Sequence, residues 1–208
     1  MRLSKLLKTV IVGALAVVCV AGCSIKYETP EQHYGVDEPD LPAVGIHHVE
    51  IDVQDYGTIA VELDGDTAPI TVQNFLDLAN SGFYDGLTFH RIMDGFMIQG
   101  GDPEGTGAGG SGTNIIGEFS ANGRPNPISH VRGTISMARS QMYDSASSQF
   151  FIVQTDSTFL DGQYAGFGHV TDGMDIVDQI CIDAPVVDDN GTVLSADQPV
   201  ITAVRVID

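Results

Sequence analysis

The stretch Phe89-His-Arg-Ile-Met-Asp-Gly-Phe-Met-Ile-Gln-Gly-Gly-Asp102 reads as two short strands hinged at Asp94-Gly95. Asp-Gly between alternating apolar runs is a strong short-range hairpin signal. On a regular strand Phe89, Arg91 and Met93 share one face, and His90 and Ile92 the other. Folding back at the turn would bring Arg91 beside the Phe96–Gln99 segment, a cation next to apolar side chains with an amide at the rim. Guanidinium groups are seldom set on apolar surface without a reason. The residues alone leave two readings open, a functional cation beside a pocket or a structural ion pair with one of the many acids.

Outward from this hairpin the same two-residue alternation recurs. IHHVEIDV (46–53) and GTIAVELD (57–64) precede it, and GTISMA (133–138), QFFIVQ (149–154), AGFGHVT (165–171) and VITAVRVI (200–207) follow. Between the second strand and the hairpin, DTAPITVQNFLDLANSG has a helix's local signals. Thr67 or Asp66 could cap it, Pro69 lies near its first turn, Val72, Phe75, Leu76 and Ala79 form one apolar face, and Gly82 lies just past its end. A second short helix is expected in DGMDIVDQI, with Met174, Ile176, Val177 and Ile180 apolar. A doubly wound sheet needs a helix between most strands, and residues 83–171 offer none. The expected fold is mainly β, a closed antiparallel barrel capped at its ends by two helices.

The front of the chain is different. Arg2, Lys5 and Lys8 precede an apolar, small-residue run, the pattern of an export signal and not of a membrane span. It ends in Val20-Ala21-Gly22-Cys23, which resembles the lipobox of bacterial lipoproteins. That resemblance implies a signal peptide over 1–22 and acylation of Cys23. The domain would then be held on the bacterial cell membrane, facing outside the cytoplasm. A plain secretory signal or an uncleaved anchor is the competing reading. Residues 23–44, with three prolines, many acids and few aliphatics, read as a flexible acidic tether, and the folded domain as 45–208.

Of the 208 residues, 9 are Lys or Arg and 28 Asp or Glu, a formal charge of −19, and loss of the leader's three cations takes it to −22. Nucleic acid and anionic lipid surfaces are poor electrostatic partners for such a chain. Cys19 would leave with the leader and Cys23 would be acylated, so Cys181 has no partner for an internal disulfide.

Other motifs fall away on context. Gly105, Gly107 and Gly110 satisfy G-x-G-x-x-G, but Pro103 interrupts the approach and TNIIGEF after it is strand-like, with no helix start. The six histidines form no metal signature, and DDNG (188–191) reads as a turn, so no metal is expected. No G-x-S-x-G occurs, the serines of 140–149 have no histidine at a telling distance, and no carboxylate stands in an apolar sequence context.

Four blocks settle what the residue types leave open. FHRIMDGFMIQGGD, GTISMA, SQFFI and FLDGQYAGFGHV resemble, in order and spacing, the signature blocks of the cyclophilin-type peptidyl-prolyl cis-trans isomerases, over 45–208. The resemblance implies an eight-stranded antiparallel barrel with two capping helices and an isomerase acting on proline-containing polypeptides. Rotation about X–Pro needs no covalent step, so no cofactor is expected, and with oligomeric state open a monomer is the default expectation. The family's catalytic arginine falls on Arg91 and its proline-pocket positions on Phe96, Met97, Phe151 and Leu160. Its backbone-holding positions fall on Gln99 and Gln149, and Ala138 with Arg139 matches the pair lining the extended groove. Phe159 and Tyr164 also fall on substrate positions. They replace the tryptophan and histidine of many eukaryotic members, so cyclosporin binding is expected to be weakened. Arg139 stands where asparagine is frequent.

The chemistry suits an arginine. Twisting an X–Pro bond breaks amide resonance, a barrier of about 18–20 kcal/mol, and leaves a lone pair on the prolyl nitrogen. A donor that never deprotonates, aimed there, stabilises the twisted state more than either planar one. The expected function is therefore X–Pro isomerisation in exported or surface proteins. The alternative is a chaperone or adhesion module that binds proline segments with little turnover.

Overall fold

The structure is a computed structural model and describes residues 42–208. The expected leader, Cys23 and the tether up to residue 41 lie outside the described residues. Ala43, at the end of the stretch read as tether, is buried and donates its backbone N–H to the Pro69 carbonyl.

Eight strands and two helices follow in order: β1 (Ile46–Val53), β2 (Gly57–Asp64), α1 (Pro69–Asn80), β3 (Thr88–Met93), β4 (Met97–Asp102), β5 (Thr134–Met137), β6 (Phe150–Val153), β7 (Gly166–Asp172), α2 (Met174–Asp183) and β8 (Ile201–Val206). Every strand stretch read from alternation is a strand. They form one antiparallel sheet in the order β3-β4-β6-β5-β7-β2-β1-β8.

The fully closed barrel does not form. The edges β3 and β8 meet at one isolated bridge, Thr88 to Val200, with bonds from Ile201 N–H to Leu87 and from Phe89 N–H to Pro199, so the sheet is a curled half-barrel. Pro199 at the start of this seam has no N–H with which to extend a ladder, and the register of β3 shifts on both sides of Phe89.

The concave side holds the main core. Helix α1 buries Val72, Phe75, Leu76 and Ala79 there, the face read from its spacing. The Phe75 ring lies 5.0 Å from Tyr84, 5.5 Å from Phe150 and 5.4 Å from Phe167, and α2 adds Val177 and Ile180. Pro69 opens α1 as expected, but neither Thr67 nor Asp66 caps it. Thr67 donates to Asp64, and Asp66 accepts the Gly45 N–H. The free N–H groups of Ile70 and Thr71 instead donate to the Glu118 carboxylate at 3.1 and 2.8 Å. Two carboxylates are buried, Glu118 and Asp102, against the expectation that none stands in an apolar context; Glu118 in fact lies between Ile115-Ile116-Gly117 and Phe119. The TNIIGEF stretch is no strand; Ile115 makes an isolated bridge to Ala146.

Strands β4 and β6 are apolar on both faces. Ile98, Phe150 and Ile152 point into the main core, while Met97, Phe151 and Val153 point outward and form a second cluster with Leu160. Such surface must be covered or remain as a binding face. Phe96, Ala138 and Tyr164 pack around it without closing over it.

Candidate active site

The uncovered part of that outer layer is a hollow of about 410 Å³. Its floor is Met97, Phe151 and Leu160, with Phe96 and Tyr164 on its walls. Arg91 stands at its edge, placed there by the hairpin: Arg91 pairs with Gln99, Ile92 with Ile98 and Met93 with Met97, and Gly95 takes φ +78° in the turn. The glycine pair closing the motif is needed for packing. A Cβ on Gly100 would lie 2.8 Å from the Thr88 carbonyl, and Gly101, at φ +82°, sits against the Ser148 carbonyl.

The guanidinium is tethered, not neutralised. Arg91 Nε donates to the Asn190 carbonyl at 2.7 Å, Nη1 to Gln99 Oε1 at 3.4 Å and Nη2 lies 3.0 Å from Met93 Sδ. No carboxylate pairs with it among the described residues. Burial pulls its pKa below the ordinary arginine value, with Tyr164 and Asp188 opposing. A half-buried cation without a counter-ion is costly unless something polar arrives to meet it.

Two amides continue from Arg91. Gln99 Nε2 donates to Gln149 Oε1 at 2.9 Å, and Gln149 Nε2 donates to the carbonyls of Gly107 and Gly109 at 3.1 and 2.8 Å. The glycine-rich loop is held from its other side by Asp102, which accepts N–H bonds from Glu104, Thr106 and Gly107 at 2.8, 3.0 and 2.6 Å. Burial raises the Asp102 pKa, but those N–H bonds and one from Gly109 outweigh it and leave a net lowering. The loop therefore borders the hollow as a fixed rim.

Of the residues named from sequence, Arg91, Phe96, Met97, Gln99, Ala138, Arg139, Phe151, Leu160 and Tyr164 line this hollow. Gln149 lines a smaller adjoining one of about 190 Å³, with Ser140, Ser145 and Ser147. Phe159 is 72% exposed and leans on Phe96 at 5.7 Å between ring centroids. Phe89 does not share the face of Arg91. The bulge beside it turns it into the core, and His90 faces the hollow instead. Sequence reading also missed Thr106, Asn190 and Thr192. DDNG is a turn as expected, with Asp188 Oδ1 accepting the N–H groups of Asn190 and Thr192. Nothing local signals that it seats on an arginine 99 residues away. Among the described residues no three His, Cys, Asp or Glu side chains converge to hold a metal ion, and no helix is long and apolar enough to cross a membrane.

Residues 48–206 match the family model described as cyclophilin type peptidyl-prolyl cis-trans isomerase. The chain belongs to this family. Cyclophilin-type isomerases catalyse cis–trans interconversion of peptidyl-prolyl bonds, and that is this chain's activity. A Helicobacter pylori peptidyl-prolyl cis-trans isomerase is 40% identical over 153 residues, covering 73% of this chain and 89% of the relative. The Bacillus subtilis isomerase B is 47% identical over 123 residues, covering 59% and 82%. The crystal structure of a Cryptosporidium parvum cyclophilin superposes with a TM-score of 0.69 at 31% identity, covering 79% of this chain and 99% of that one. The same protein crystallised in the presence of the dipeptide Ala-Pro superposes with a TM-score of 0.68.

Proposed function

We propose that the hollow receives the proline ring and that Arg91 is the catalytic residue of this cyclophilin. Met97, Phe151 and Leu160 supply a dry floor, so the ring is held while the preceding carbonyl swings. The guanidinium donates to the prolyl nitrogen only when that nitrogen has lost its planarity, which favours the midpoint over both ends. Gln99 and the backbone near Ala138 offer polar groups to the peptide main chain. No bond to the enzyme forms or breaks. The observation that carries this reading is an arginine held by a carbonyl and an amide, with no carboxylate partner among the described residues, at the edge of an apolar hollow. Phe159, exposed at the rim, and Tyr164 make the outer wall, and tight cyclosporin binding is not expected there.

We infer further, from the lipobox-like sequence ending at Cys23 and the acidic stretch after it, that this activity is exerted outside the cytoplasm on exported or surface proteins; a monomer is the default expectation for the domain. X–Pro steps are slow enough to limit folding, taking about 10–100 s uncatalysed, and an anchored isomerase would meet clients as they emerge. The site is tested by soaking crystals with an X–Pro peptide. Proline against Phe151 and Leu160 with Arg91 near its nitrogen is expected, and a peptide bound elsewhere overturns the assignment. The anchor is tested by palmitate labelling: Cys23→Ser should abolish incorporation.

A further inference from the structure

We infer that Arg139 is a positioning residue that clasps the outer wall of the hollow in place, acting on substrate only through Tyr164. The inference rests on the reading of the hollow as the proline site. Although Arg139 borders the hollow, its side chain is engaged elsewhere. Nε and Nη2 both donate to the Gln163 carbonyl, at 3.0 and 2.7 Å, and Nη1 donates to the Ser140 carbonyl at 2.9 Å. Its guanidinium carbon lies 4.6 Å from the centroid of the Tyr164 ring, 5.0 Å from Phe119 and 5.2 Å from Tyr143.

One side chain thus gathers three separate stretches: residue 119, the loop 140–143 and the wall 163–164. The wall needs such a clasp because little regular structure holds it. Between β6 and β7 the chain makes only a short 3-10 turn, Thr158–Leu160. Tyr164 meets Phe151 edge-on at 5.9 Å and His130 at 6.5 Å, so its placement shapes the space left above the Phe151 floor. A planar, permanently charged fork suits the task, since it can lie against rings while its edges bond carbonyls. A lysine keeps the charge but cannot span the Gln163 and Ser140 carbonyls while facing three rings.

The test uses the folded chain with ring-labelled tyrosine, titrated with an X–Pro peptide by NMR, which reads both affinity and the isomerisation rate of bound peptide. In Arg139→Gln the Tyr164 ring signals should shift and peptide affinity should fall about tenfold, with the bound-state rate within about twofold of wild type. Arg139→Lys should lose nearly as much affinity. In a Tyr164→Ala background, Arg139→Gln should cost nothing further, because its only route to substrate is gone. Unmoved Tyr164 signals overturn the clasp. Full affinity in Arg139→Lys shows that charge alone suffices and overturns it too. Additive losses in the double variant would mean that Arg139 touches the peptide directly. If Tyr164→Ala alone binds like wild type, the wall itself is misassigned and the proposal falls with it.

Discussion

Arg91→Ala is the perturbation that separates chemistry from fold most cleanly. The guanidinium makes one short bond, to the Asn190 carbonyl, and a longer one to Gln99. Its removal leaves two acceptors at the wall of an open hollow, where water can replace it. The stability cost is then about 1 kcal/mol, or about 2–4 °C in Tm for a domain of this size. The rate is a different matter. Losing one preorganised donor from a site of this kind costs about 10²–10³ in turnover, or 2.7–4 kcal/mol. A protease-coupled assay on a short X–Pro peptide measures the rate, and a thermal melt on the same sample measures the fold. Arg91→Lys should lie between wild type and alanine, because it keeps a charge but cannot be gripped at Asn190 while still facing the hollow. A rate in Arg91→Ala within tenfold of wild type would refute the donor role. A collapsed melt would mean that the residue is structural.

Three further outcomes follow from the other titratable groups. Asp102→Asn loses the charge behind three N–H bonds to the rim of the hollow, a cost of about 1.5–3 kcal/mol per charge-assisted bond at most; faster hydrogen exchange at Thr106 and Gly107 with weaker peptide binding is expected, and unchanged exchange there would sink the idea. Burial lowers the pKa values of His90 and His130, so the unfolded chain takes up these protons first as pH falls below about 6.5 and the Tm should begin to drop there. A second fall is expected below about pH 4, where Asp178, lowered by its Arg132 partner, and Asp102 lose their native advantage as they protonate. A melt that stays level from pH 7 to about pH 4.5 would contradict the histidine assignment.

Most of the fold was legible locally. Strand alternation, the Asp94-Gly95 turn, and Pro69 with Gly82 at the helix ends each state a preference that a few neighbouring residues can satisfy on their own. The helix cap was not legible. The donors of α1 are met by Glu118, 48 residues away from Ile70, and no local spacing reports such a partner. Phe89 was misplaced for a related reason, since a one-residue bulge reverses every face assignment beyond it.

The chain alone thus specified its elements, its arginine beside an apolar run, and, through four blocks, its family. What it could not specify was the partnership of distant segments. Arg91 is gripped by Asn190, Arg139 by Gln163 with rings from three stretches, and the sheet stops short of closure at Pro199. Hydrophobic period and turn chemistry act over a few residues. A tethered cation, a wall clasped in place and an unclosed seam depend on groups that meet only once the sheet has curled.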